Sequence, residues 1–165
     1  MLPRGIRNHN PLNIRRTAKD QWKGMAEVQS DRAFVQFKSL EYGWRAAFYL
    51  LTRTYYHKYR LYTIRGIITR WAPSSENDTS AYVDNVSRLT GIDPDEPIGI
   101  PSEHPARWMM VGVAMAIQEN GLIKREQSEL AHSAEREDRR AKLNGTDFLD
   151  YFAMLRGWGL AREGI

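Results

Sequence analysis

The chain has 165 residues, 42% of them hydrophobic, no cysteine and a formal net charge of +4. That is enough apolar matter for one core, and it excludes disulfide scaffolds, thiolate nucleophiles and cysteine-based zinc sites. The four histidines are scattered, so neither a metal nor a cofactor is expected. Charge is divided unevenly. Residues 1–73 carry 14 Lys/Arg against 4 Asp/Glu, and residues 74–165 carry 10 against 16, which makes the halves about +10 and −6. A basic, aromatic-rich first half suits an anionic polymer, nucleic acid included, although folded halves of opposite sign also satisfy each other. No apolar run is long enough to span a bilayer, and none of signal-peptide length follows Arg4 and Arg7. The expectation is synthesis in the cytoplasm without a secretory signal and without stable membrane insertion.

In chain order, residues 1–24 read as an irregular loop punctuated by Pro3, Gly5, Pro11 and Gly24. Residues 25–38 suggest a small β-hairpin, with a Gln-Ser-Asp-Arg turn before the strand-like Phe34-Val35-Gln36-Phe37. From Ser39 the period changes. Trp44, Ala47, Phe48, Leu51 and Tyr55 line one helix face, and Ile64, Ile67, Ile68 and Trp71 line a second helix between Thr63 and Pro73. A third helix carries Tyr82, Val83, Val86 and Leu89, with Gly91 at its end. Residues 92–105 form a Pro-rich connector. The helix from Pro105 is apolar on nearly every side until Gln118-Glu119-Asn120-Gly121, which marks a buried helix. Residues 124–142 are dominated by charge and read as a solvated or partner-facing helix. Thr146 and Asp147 cap a terminal helix whose apolar residues are Phe148, Leu149, Tyr151, Phe152 and Leu155, ending near Gly157-Trp158-Gly159.

Several of these segments together resemble a known family. The run Arg4-Gly5-Ile6-Arg7-Asn8-His9-Asn10-Pro11-Leu12-Asn13-Ile14, then Trp22-Lys23-Gly24, Phe34–Phe37, Tyr42-Gly43-Trp44, Ile67–Pro73 and Glu76-Asn77-Asp78-Thr79 with Tyr82 is similar to small phage and prophage virion structural proteins suspected of a lysozyme-like fold. The likeness covers residues 4–92, and 105–121 more weakly. It implies a distant similarity to bacterial glucosaminidases and lytic transglycosylases, hence peptidoglycan glycan strands as substrate and action at the cell wall from a virion. Those enzymes carry the catalytic Glu on a buried helix before the Asn-rich loop, whereas here only a few residues precede Asn8. The segment Ala114–Gly121 resembles that helix displaced to the C-terminal side, which describes a circularly permuted lysozyme-like core.

Glu119 is then the expected general acid. Burial against an apolar helix and a place in its last turn both favour a neutral carboxyl. Asn8, Asn10 and Asn13 are expected to offer amides to sugar hydroxyls, and Trp22 and Tyr82 to stack on pyranose rings; Trp71 fits the core better. Glu76, Asn77 and Asp78 are further candidate contacts, although Asp78 before Thr79 is also ordinary N-cap chemistry. A second carboxylate, if the reaction needs one, would come from Glu27 or Asp31 beside the hairpin, or from Glu76 or Asp78. Lytic transglycosylases manage with one Glu and the substrate's own acetamido group. His57, among Lys58 and Arg60, reads as a solvated surface residue.

The sequence thus predicts a mainly α (α+β) fold: a lysozyme-like helical domain with one hairpin over residues 1–121, and a C-terminal helical extension over 122–165 that is available to other virion proteins. The expected activity is glycan-strand cleavage, of muramidase or lytic transglycosylase type. The alternative is a noncatalytic virion structural protein that keeps the fold. Nucleic-acid binding through the basic half is the less favoured third reading.

Overall fold

The computed structural model describes residues 2–75, 77–121 and 150–162. Its helices are α1 (Arg4–Arg7), α2 (Leu40–Tyr49), a π-helical segment (Leu50–Lys58), α3 (Ile64–Trp71), α4 (Thr79–Thr90), α5 (Pro105–Glu119) and α6 (Tyr151–Arg162). The architecture is mainly α. Two compact units share the chain: Met1–Ala47 with Glu119–Ile165, and Phe48–Gln118. The terminal helix groups with the N-terminal segment. The charged stretch 124–142 and the expected cap Thr146-Asp147 lie outside the described residues.

In the first unit a single helical turn, α1, leads into an extended loop that buries Leu12 and Ile14. The expected hairpin takes a different form. Isolated antiparallel bridges join Met25 to Phe37 and Arg15 to Phe34, and no regular two-stranded ladder forms among the described residues. Two glutamine side chains take the place of ladder partners. Gln29 Oε1 accepts the Gln36 N–H at 2.8 Å while its Nε2 donates to the carbonyls of Ala26 (2.9 Å) and Gln36 (2.7 Å). Gln36 Oε1 in turn accepts the N–H groups of Ser30 (2.6 Å) and Asp31 (3.2 Å). Val35 and Phe37 spend their own N–H groups on the carbonyls of Ile14 and Asn8, both at 3.0 Å. The strand-like run is thus stitched to the N-terminal loop, and every backbone donor named here has a partner.

Helix α6 turns its face opposite to the one that residue size suggests. Tyr151, Phe152 and Leu155 are exposed, whereas Ala153, Met154, Gly157 and Ala161 are buried. The cause is close approach to α2. A Cβ on Gly157 would collide with Trp44 Cβ and lie 2.8 Å from the Glu41 carbonyl and 2.9 Å from the Arg45 nitrogen. Small residues let the two backbones meet, and an Arg156–Glu41 ion pair at 2.8 Å flanks the contact. Asp150 caps α6 by accepting the Ala153 N–H at 3.0 Å. The helix runs through Gly157 and Gly159 to Arg162.

The second unit follows its sequence signals closely. Thr63 Oγ1 accepts the Gly66 N–H at 3.0 Å and starts α3, whose Ile64, Ile67 and Ile68 are fully buried. Asp78 Oδ1 accepts the Ala81 N–H at 3.1 Å and starts α4, which Gly91 closes in the left-handed region at φ 72°. Helix α5 buries Trp108, Val111, Gly112, Ala114, Met115 and Ala116, but leaves Met110 exposed, so its first half is one-sided. Trp108 Nε1 donates to the Gly99 carbonyl at 2.8 Å, satisfying the indole inside the core. The second half of the helix predicted from Ser39 is π-helical. Thr52 Oγ1 donates back to the Phe48 carbonyl at 2.6 Å there, and the segment ends at Lys58, two residues before Arg60 turns the chain at φ 56°.

Candidate functional site

The two segments that the sequence picks out, the Asn-rich loop and the end of α5, meet in the first unit. Asn13 Nδ2 donates to the Glu119 carbonyl at 3.2 Å, and Asn120 Nδ2 donates to the Pro11 carbonyl at 3.1 Å. Asn13 sits in the left-handed region at φ 52°, a conformation its short polar side chain tolerates. Gly5 completes the junction. A Cβ there would lie 2.5 Å from Asn120 Oδ1 and 2.8 Å from both Asn13 Oδ1 and the Asn10 carbonyl, so only glycine fits. Asn13 Oδ1 is buried without a hydrogen-bond partner. The Glu119 side chain is half-buried at this junction.

The loop's other amides face inward. Asn10 is 0% exposed; its Nδ2 donates to the carbonyls of Ile14 (3.0 Å) and Val35 (2.8 Å), and its Oδ1 accepts the Ile14 N–H (2.9 Å). These bonds fold the loop back on itself and leave nothing for a sugar. Asn8, 7% exposed, donates to Asp31 Oδ2 at 2.9 Å and accepts from Gln36 Nε2 at 3.3 Å. Expecting Asn8 and Asn10 as ligand-binding amides is therefore corrected: both are structural. Asn13 keeps only its position beside Glu119.

Asp31 is corrected as a second carboxylate for the same kind of reason. Arg4 grips both oxygens, Nε to Oδ2 at 2.7 Å and Nη2 to Oδ1 at 2.6 Å, and the N–H groups of Ala33 (2.9 Å) and Phe34 (3.1 Å) add to Oδ1. The Arg4 hydrogen bond first, then those from Asn8, Ala33 and Phe34, hold this carboxyl far below the usual range despite partial burial. Such a group neither gives nor takes a proton near neutral pH. Arg4 also lies over the Phe34 ring, 4.6 Å from its centroid. Glu27 is exposed on the turn, and Trp22 is half-buried.

In the second unit Asp78 is an N-cap, and Asn77 is exposed with its Nδ2 3.4 Å from the Pro73 carbonyl. Tyr82 is 4% exposed on the core face of α4, which removes it as a stacking platform and corrects that expectation. Glu76 lies outside the described residues. Trp71 is half-buried and meets Tyr55 edge-on at 6.3 Å, in keeping with a packing role. His57 is exposed and packs edge-on against Tyr56. Among the described residues no three His, Cys, Asp or Glu side chains come together as a metal site, and no helix is long and apolar enough to cross a membrane.

Sequence reasoning missed Arg4, Gln29 and Gln36, which do most to shape this unit. The signal for Arg4 was an excess of basic over acidic residues in the first half, and it is too common to single out one pair.

The result is a mainly helical protein in which a self-bonded Asn loop is latched to the end of a buried helix bearing a glutamate. No family model matches the chain. Protein P5 of Pseudoalteromonas phage PM2 is 43% identical to it over 120 residues, which span 72% of this chain and 71% of that protein. The chain belongs to the family of this phage protein.

Proposed function

We propose that this protein is a virion component that cleaves the glycan strand of peptidoglycan, with Glu119 as general acid. The observation supporting the reading is the junction itself: Asn13 and Asn120 tie the Asn loop to the helix end that carries Glu119. With Asp31 held by Arg4 and Asp78 used as a cap, the one-acid form of the reaction suits the chain better than a carboxylate pair. In that form Glu119 protonates the glycosidic oxygen as the C1–O bond breaks, and the sugar's own acetamido oxygen stabilises the cationic centre. The sugar's C6 hydroxyl then closes on C1 and returns its proton to Glu119. A zymogram on purified peptidoglycan tests the reading. Clearing by the wild type that Glu119→Gln abolishes supports it, because loss of general acid catalysis costs about 10²–10⁴ in rate.

A noncatalytic virion structural role is the second reading. It is favoured by the inward amides of Asn8 and Asn10, which make the loop a structural brace. Absence of clearing by folded wild-type protein makes that role the conclusion.

A further inference from the structure

Residues 42–75 contain six Lys/Arg and no Asp or Glu. The structure separates these cations into engaged and unengaged ones. In the second unit Arg65 pairs with Asp95 at 2.7 Å, and Arg107 reaches Glu96 at 3.5 Å, so those two cations are engaged with the acidic connector. Lys58, Arg60 and Arg70 are all exposed and have no carboxylate partner among the described residues. Arg70 and Lys58 both lie over Tyr59. The Arg70 guanidinium lies 3.6 Å from the centre of its ring and the Lys58 ammonium 5.6 Å. Tyr55 lies 6.1 Å from Tyr59, and its hydroxyl is pushed up to about 12 by burial, with the Arg70 charge opposing. Tyr59 and Tyr62 are 36% and 44% exposed at the end of the same stretch.

A stacked guanidinium is held flat with its N–H edge outward, the geometry that grips two oxygens of a phosphodiester. The exposed ring of Tyr62, which meets Tyr56 edge-on at 5.0 Å, offers a face for a base in the same segment. The aliphatic residues of this region are withdrawn: Ile64, Ile67 and Ile68 are fully buried and Leu61 is half-buried, which leaves nothing from α3 to enter a hydrocarbon layer. The combination favours a nucleic-acid strand over an anionic lipid surface. We infer that the Lys58–Tyr62 segment and Arg70 form a binding surface for single-stranded nucleic acid, independent of the glycan-cleaving reading.

The test is fluorescence anisotropy of a labelled oligo-thymidylate with the full-length chain across a salt series. The wild type should bind at low salt, with affinity falling linearly on a logarithmic salt scale. The double variant Lys58→Gln/Arg70→Gln should flatten that slope by about one to one and a half and weaken binding at least about tenfold near 0.1 M salt. Tyr62→Ala should weaken it at least about fivefold through lost stacking. All three residues are exposed, and unchanged melting curves show that the variants fold. No binding at low salt, binding that the double variant retains in full, or capture only by phosphatidylglycerol vesicles in a parallel sedimentation assay would each overturn the inference.

Discussion

The Asn-rich loop at residues 8–14 and the Lys58–Tyr62 segment are both short, polar and irregular, yet they use their polar groups in opposite senses. The loop turns Asn8 and Asn10 inward and satisfies them with backbone carbonyls, N–H groups and Asp31. The later segment keeps Lys58 and Arg60 in solvent and stacks Arg70 on Tyr59. The difference follows from chemistry. An amide is neutral and carries donor and acceptor together, so it can replace a turn's backbone partners at little desolvation cost. An ammonium or guanidinium cannot be buried without a counter-charge, and no acid lies between residues 42 and 75. Polarity in a loop therefore does not by itself indicate a surface for ligands.

Substitutions can break this contrast, and the largest effect should come from the loop. Asn10→Ala removes three buried bonds and strands their partners, so it should cost about 3 kcal/mol, or about 10 °C in melting temperature. A change under 2 °C would return Asn10 to the surface. Asp31→Asn should come next, at about 2 kcal/mol near neutral pH, since it weakens the Arg4 grip on a side chain that is 9% exposed. The folded-state carboxyl is held below its unfolded value near 3.9, so its contribution is complete above that value and is lost as pH falls further. The difference in stability between wild type and Asp31→Asn should accordingly shrink as pH is lowered from about 5 to 2 in urea titrations. A gap that stays constant would place the effect outside the ion pair. Arg70→Gln, by contrast, should change stability by no more than about 1 kcal/mol, because an exposed cation–aromatic contact is all that is lost.

The contrast also marks where the sequence was legible. Helices α3 and α4 could be read almost to the residue, because Thr63, Asp78 and Gly91 are local signals whose partners lie within four residues. The face of α6 could not. Its apolar residues did not say which side would pack: Tyr151, Phe152 and Leu155 are exposed, because α2 approaches too closely for anything larger than Gly157 to sit between the backbones. A contact between residues 41–45 and 157 leaves no periodic trace. At the candidate site the pairing of the Asn loop with the end of α5 was foreseeable from the resemblance, whereas the direction of each amide was not. Asn10 and Asn13 stand three residues apart in one loop; one is consumed by Ile14 and Val35, the other reaches Glu119. Local sequence is the same kind of signal for both, and tertiary neighbours decide.

Mass spectrometry of the fragments released from purified peptidoglycan by the wild-type chain and by Glu119→Gln decides whether, as proposed, Glu119 alone supplies the acid while the loop amides brace the structure. The expected result is ring-closed products one water lighter than hydrolysed ones from the wild type, and no release by the folded variant. Hydrated ends from the wild type, or undiminished release by Glu119→Gln, would overturn the proposal.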